Sequence, residues 1–368
     1  MRNGVLILLT VVLSANAYAD DSDVATFNAA WQAYEAAAES DDAELRTETA
    51  ARVVGAGKQI FKESDEQLAI ITHNYGVALS DSGNRKDAVP VLAEALRLGE
   101  IVYGESGLEL VPVLADLADA EAEPFRPGTQ LRYYRRALKL VEGHFGKQAV
   151  EYADLAFRVA RNVYAMSLSL KAEDYMREAR DIYASLPEPA TQNVGMAGFY
   201  LGKMAFTDRS FKSSSRHLEE ALTAFEGPGD ANQAMRLLTR ALLVQVYENR
   251  GLTEEATQHC VAIGSETQFA PDQDYEPLFR VAPQYPVSML RSNKEGRVDL
   301  EFMIDENGFV QEPVIIDRQI NGKDRKNKSD FDKAAIDAVK RFRYAPRFVD
   351  GEAVATAGVK TRISFALE

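Results

Sequence analysis

Apolar residues change their spacing once along this chain. From about residue 22 to residue 265 they recur every three or four positions, the period of a helix face. Within Gly296 to Asp305 and again within Val359 to Leu367 they alternate with polar residues, the period of a strand. The helical part carries a longer period as well. Small residues stand at Ala95, Ala137, Ala179 and Ala221, and again at Gly76, Ala118, Ala160 and Gly202, each series at an interval of 42. The bulky Leu92, Tyr134, Met176 and Leu218 keep the same interval. A fixed period of this size predicts stacked helix–turn–helix units, in which a small residue on one helix lets a bulky residue of the next fill the gap. Turns are expected at Ser82-Gly83-Asn84 and Asn249-Arg250-Gly251. Gln130 and Ser214 stand where the pattern wants alanine, and Pro90 in a second helix is tolerable only near its first turn. Phe27, Trp31, Tyr34 and Ala38 are at helical spacing within residues 23–62 and predict an atypical first pair that caps the stack.

In the alternating part, Val298, Leu300, Phe302 and Ile304 share one strand face, with Arg297, Asp299 and Glu301 on the other. Asp305-Glu306-Asn307-Gly308 reads as a turn into a second strand, Phe309 to Ile316, where Pro313 implies an edge or a bulge. Ser329 and Asp332 fit a capping box that opens a helix bearing Phe331, Ala334, Ala335, Ala338, Val339 and Phe342, which ends before Pro346. Between them Arg318, Lys323, Arg325, Lys326 and Lys328 read as a solvated basic loop. A last strand sets Val359, Thr361, Ile363, Phe365 and Leu367 against Lys360, Arg362 and Ser364. The expected order is β-β-α-β with an antiparallel sheet.

Composition narrows the function. A chain of 368 residues with 46% hydrophobic and 27% charged residues builds more than one globular unit. Its net charge of −14 gives no footprint for nucleic acid or anionic lipid. The single cysteine, Cys260, forms no intramolecular disulfide and no thiolate zinc cluster; it stands where the repeat wants a bulky apolar residue and reads as a buried, inert thiol. His73, His144, His217 and His259 fall in no metal-ligand pattern, and no nucleophile elbow, P-loop or dinucleotide glycine motif occurs. No enzyme activity, cofactor or metal is expected. Met1 to Ala19 has Arg2, an apolar run from Val5 to Leu13 and small residues at Ala17 and Ala19, the pattern of a cleavable export signal. The expected divisions are 1–19 signal, 20–268 helical repeats, 269–275 linker and 276–368 the α+β domain, in a soluble periplasmic protein with no membrane span after cleavage.

Two family resemblances follow from these residues. Asn74 to Leu79 through Ala88, Leu92 and Ala95-Leu96, and again Leu243 to Ala256, resemble the tetratricopeptide repeat, in the longer form found in kinesin light chains. Such solenoids present a concave face to protein partners. The C-terminal part resembles the C-terminal domain of the TonB family of energy transducers. The matching stretches are Pro283-Gln284-Tyr285-Pro286, Glu295 to Val298 with Phe302, Ile304-Asp305 and Gly308, then Ala334 to Pro346, Gly351 and Ile363 to Leu367. That resemblance implies a domain that takes an extended segment of an outer-membrane receptor as an added strand beside its final strand. The pairing residues are then Val359, Lys360, Thr361, Arg362, Ile363, Ser364 and Phe365, with Gln284 and Tyr285 near the strand's end. The alternative for Tyr285 is that it positions the chain entering the first strand. The implied partners are a TonB-dependent receptor segment and components of the TonB motor or other envelope proteins; an envelope scaffold without receptor binding is the alternative function.

Overall fold

The computed structural model of the protein describes residues 20–121, 127–165, 169–267, 275–321, 323–324 and 329–367. The expected export signal lies outside them, as do Arg325, Lys326, Lys328 and most of the expected linker. The chain forms two compact units, Met1–Leu186 and Pro187–Glu368.

The first unit is all helical: α1 (Asp21–Ala38), α2 (Ala43–Ile60), α3 (Glu66–Asp81), α4 (Arg85–Tyr103), α5 (Leu110–Ala120), α6 (Pro127–Phe145), α7 (Val150–Ala165) and α8 (Ser169–Ser185). Each odd-numbered helix packs on the even-numbered one that follows. Asp20 and Asp42 open the first two helices by accepting hydrogen bonds from the backbone N–H groups of Ser22 and Leu45. Phe27, Trp31 and Tyr34 of α1 pack with Ala50, Val53 and Val54 of α2 and with Ile71 of α3 in one core.

The small-against-bulky packing expected from the period is present in both units. A Cβ added at Gly76 would lie 2.5 Å from Leu92, and one at Gly202 would lie 2.5 Å from Leu218. Leu92, Tyr134, Met176 and Leu218 are all fully buried. Ser214 tolerates its buried position because its hydroxyl donates to the Gly202 carbonyl at 2.8 Å. Pro90 departs from expectation: it is the sixth residue of α4, beyond the first turn. Both Pro90 and Lys86 are exposed, so water reaches the carbonyl that Pro90 leaves unbonded. Gly202→Val is expected to destabilise the second unit by about 1–3 kcal/mol, because Leu218 has no room to retreat. An unchanged Tm would overturn the close-packing account of the repeat.

The second unit begins with two more helix pairs, α9 (Thr191–Thr207) with α10 (Phe211–Ala224) and α11 (Asp230–Arg250) with α12 (Thr253–Glu266). There follow α13 (Val287–Arg291), β1 (Gly296–Ile304), β2 (Val310–Ile320), β3 (Lys323–Asp324), α14 (Asp330–Val339), β4 (Arg347–Val349), β5 (Glu352–Val354) and β6 (Thr356–Phe365). The main sheet has the order β3-β2-β1-β6 and is antiparallel throughout, while β4 and β5 form a separate hairpin. Val298, Leu300, Phe302 and Ile304 of β1 face Phe331, Ala335, Ala338 and Val339 of α14 in one core.

The expected strand, strand, helix, strand order is there, with β3 and the β4–β5 hairpin added. The second strand extends past Ile316 to Ile320, which takes Arg318 out of the expected loop. Arg318 lies opposite Val298, on the core side of the sheet, and pairs with Asp332 at 3.1 Å. That pairing also alters the cap of α14: the Ser329 hydroxyl donates to the Asp332 carboxylate at 2.9 Å, and its side chain makes no bond to the helix backbone. The reciprocal capping box is therefore not formed. Pro313 sits at a bulge, as its chemistry requires: pairing steps from Glu301↔Val314 to Met303↔Gln311, and Glu312 takes a φ of 50°.

Candidate strand-pairing site

Every second residue of a strand points its backbone N–H and C=O away from a given neighbour, so a strand with one neighbour has one unserved edge. Among the described residues β6 pairs with β1 alone, in register from Gly296↔Phe365 to Phe302↔Val359. The residues expected to pair thus form one regular edge. Val359, Ile363 and Phe365 are buried in the core, Thr361 is half-buried on the same face, and Lys360, Arg362 and Ser364 are exposed on the other. Cross-strand pairs order the exposed face: Arg362 holds Asp299 through Nε and Nη2 at 2.7 and 2.9 Å, and Lys360 reaches Glu301 at 3.7 Å. The hydrogen bonds from Arg362 hold the Asp299 carboxyl below the usual carboxylate range.

Tyr285 is brought to the end of this strand and Gln284, next to it, is exposed. The Tyr285 ring meets Phe331 at 5.6 Å and Phe365 at 5.8 Å, both edge to face, and its hydroxyl donates to the Lys294 carbonyl at 2.5 Å. Tyr285 therefore locks the chain that enters β1 onto the terminus of β6. The end of β6 is further held by Glu295, whose carboxylate accepts from the Leu367 N–H at 2.9 Å.

The opposite side of the sheet differs. Among the described residues short β3 covers only Gln319 and Ile320 of β2, and along the rest of β2 lie Pro313, which has no N–H, and the Glu312 bulge. Pairing on that side is interrupted at Glu312 and Pro313, where β6 offers a continuous run from Val359 to Phe365, its own register slip lying before Val359.

A buried cation that sequence reasoning missed fixes the back of this domain. Arg343 is almost fully buried; its guanidinium pairs with Glu248 of α11 at 2.5 Å and donates to the Thr257 hydroxyl of α12 at 2.7 Å and to the Asn307 carbonyl at 3.2 Å. It also lies 3.8 Å above the centre of the Phe309 ring. Around it Val244, Cys260 and Ile263 of the last helix pair are covered by Ala345, Leu278 and Phe279. Contact is close enough that a Cβ on Gly264 would fall 2.2 Å from the Pro346 carbonyl oxygen. Cys260 is buried there, and burial pushes its thiol up to about 12. The signal for Arg343 was its place between the aromatic Phe342 and Tyr344, where a charge has to find a partner once buried.

In the first unit α3, α5 and α7 gather a second polar cluster. His73 Nε2 lies 2.7 Å from Asp116, Arg158 reaches Asp116 at 2.5 Å and Asp119 at 2.7 Å, and the Asn162 amide donates to Asp119 at 2.6 Å and to the Tyr134 hydroxyl at 2.9 Å. Burial pushes the Asp116 carboxyl up, but the bond from His73 and the Arg158 charge outweigh it and hold the group below its ordinary value. Each carboxylate is engaged in ion pairing. In the second unit His259 likewise meets the Glu219 carboxylate at 3.2 Å, which also accepts from the Tyr247 hydroxyl at 2.8 Å. Among the described residues no group of three His, Cys, Asp or Glu side chains could hold a metal, and no helix is long and apolar enough to cross a membrane.

The helical part is similar to the crystal structure of BtubC (BKLC) from P. vanneervenii, with 17% identity, 72% of this chain and 100% of that one covered, and a TM-score of 0.47. It is also similar to a Podosopora anserina putative kinesin light chain with TPR-like repeats, with 12% identity, 67% and 97% coverage and a TM-score of 0.36. A curated relative, the clustered mitochondria protein homolog of Aspergillus clavatus, is 22% identical over 166 residues; the match spans 45% of this chain and only 13% of that protein's length. Residues 281–367, the segment that holds Tyr285, the sheet and Arg343, match the family model of the Gram-negative bacterial TonB protein C-terminal domain.

Proposed function

We propose that the protein is an exported, periplasmic TonB-family interaction component. The free edge of β6 accepts an extended segment of an outer-membrane receptor as an added strand, and the helical array docks another component of the same transport system. The observation that carries this reading is the uninterrupted edge of β6, from Val359 to Phe365, in a domain that matches the TonB C-terminal family. Strand addition needs no catalytic group: the backbone supplies affinity and the flanking side chains choose the peptide. Export follows from the Met1 to Ala19 pattern, with the mature chain beginning near Asp20.

A second reading, an envelope scaffold without receptor binding, is favoured by one observation. Arg343 pins the domain to the last helix pair, which suits a fixed protein-binding end. A photo-crosslinking residue at Lys360 in living cells, followed by mass spectrometry of the captured protein, separates the two. Receptor binding is expected to give adducts with the N-terminal segment of an outer-membrane transporter. Adducts with other envelope proteins alone would overturn the first reading in favour of the scaffold.

A further inference from the structure

The charges along β6 say which extended segment the edge takes. We infer that the added strand carries carboxylates at two positions, i and i+2, facing Lys360 and Arg362, with apolar residues at the positions between and beside them. This rests on the strand-addition reading and adds to it the chemistry of the partner.

The argument starts from the neighbour that β6 already has. In β1 the residues paired with β6 are Val298, Asp299, Leu300, Glu301 and Phe302, opposite Ile363, Arg362, Thr361, Lys360 and Val359. Carboxylates face the two cations and apolar side chains face the core positions. A strand added on the other side of β6 meets the same five side chains from the opposite direction, so the same alternation satisfies it. The cations retain capacity for it. Asp299 engages Nε and Nη2 of Arg362, out of five N–H donors on a guanidinium, and Lys360 is 65% exposed with Glu301 3.7 Å away.

The same charges reject a second copy of the chain. Two β6 strands paired antiparallel about Thr361 would set Lys360 of each against Arg362 of the other, a like-charge pair on both sides. Basic segments are refused for the same reason, and a neutral one forfeits the cross-strand attraction. Both sites are exposed, so the preference weakens as salt rises.

The test uses the full chain and four fluorescein-labelled heptapeptides with blocked ends. One is Thr-Val-Asp-Val-Glu-Val-Thr; two others replace both acids by lysine or by serine; the fourth is the acidic peptide N-methylated at alternate backbone nitrogens. Fluorescence anisotropy is expected to show the acidic peptide binding about tenfold more tightly than the lysine peptide, with the serine peptide between them, and the gap closing at high salt. In Lys360→Glu/Glu301→Lys, which keeps a pair within the sheet while reversing the sign at the edge, the order is expected to shrink or invert. Equal binding of the acidic, serine and lysine peptides with none of the N-methylated one would overturn the charge rule and leave strand addition standing. No binding at all, or binding of the N-methylated peptide as tight as its parent, would overturn strand addition itself.

Discussion

Arg343→Met is expected to cost the second unit about 3–5 kcal/mol, the penalty for stranding one member of a buried ion pair. Glu248 would be left without the guanidinium that pairs with it, and the Phe309 ring would lose the cation above it. The loss is expected to fall on both sides of the contact together. Hydrogen exchange in moderate urea should show the amides of α12 and of β1 opening sooner. The double variant Arg343→Met/Glu248→Leu is expected to recover most of the loss, because a well-packed apolar pair replaces a buried salt bridge at little cost. If Arg343→Met left exchange in α12 unchanged, Arg343 would not be holding the domain to the helices.

Phe331→Ala is expected to cost a similar amount, about 3–5 kcal/mol, through loss of a fully buried ring. Phe331 stacks on Phe365 at 4.3 Å and meets the edge of Tyr285, so the damage is expected to reach the end of β6. Thermal denaturation checks the size of the effect, and protection of the Ile363 to Phe365 amides checks its location. By comparison Tyr285→Phe, which keeps the ring and loses only the bond to the Lys294 carbonyl, is expected to cost about 1 kcal/mol. A fall in Tm for Phe331→Ala no greater than that for Tyr285→Phe would mean that Phe331 is not the keystone of this core.

The array was legible because its signal is periodic: a small residue every 42 positions survives the loss of any single unit, and Gly76 with Leu92 and Gly202 with Leu218 obey one geometry. The core and solvent faces of β1 and β6 were legible for the same reason, since alternation is local. Long-range pairings were not. Nothing near Arg343 in the sequence names Glu248 as its partner, for the two are 95 positions apart and belong to different elements. Arg318 was misplaced because a run of basic residues resembles a loop, while its actual setting is decided by Asp332 across the helix start. Tyr285 was left between two roles by the sequence. Its contacts with Phe331, Phe365 and the Lys294 carbonyl hold the chain entering β1 at the end of β6, a link between distant segments that the local sequence does not display.

The bulge at Glu312 and Pro313 has a consequence for stoichiometry. A sheet with two good edges can be extended from both sides, and copies joined edge to edge through unlike surfaces grow into open filaments. Among the described residues the β2 side is the interrupted one, because Pro313 has no N–H and the pairing register slips at Glu312, whose φ is 50°. Under the proposed strand addition, a segment docked on β6 would end the series, one guest to one domain, in a complex of fixed composition instead of a fibre.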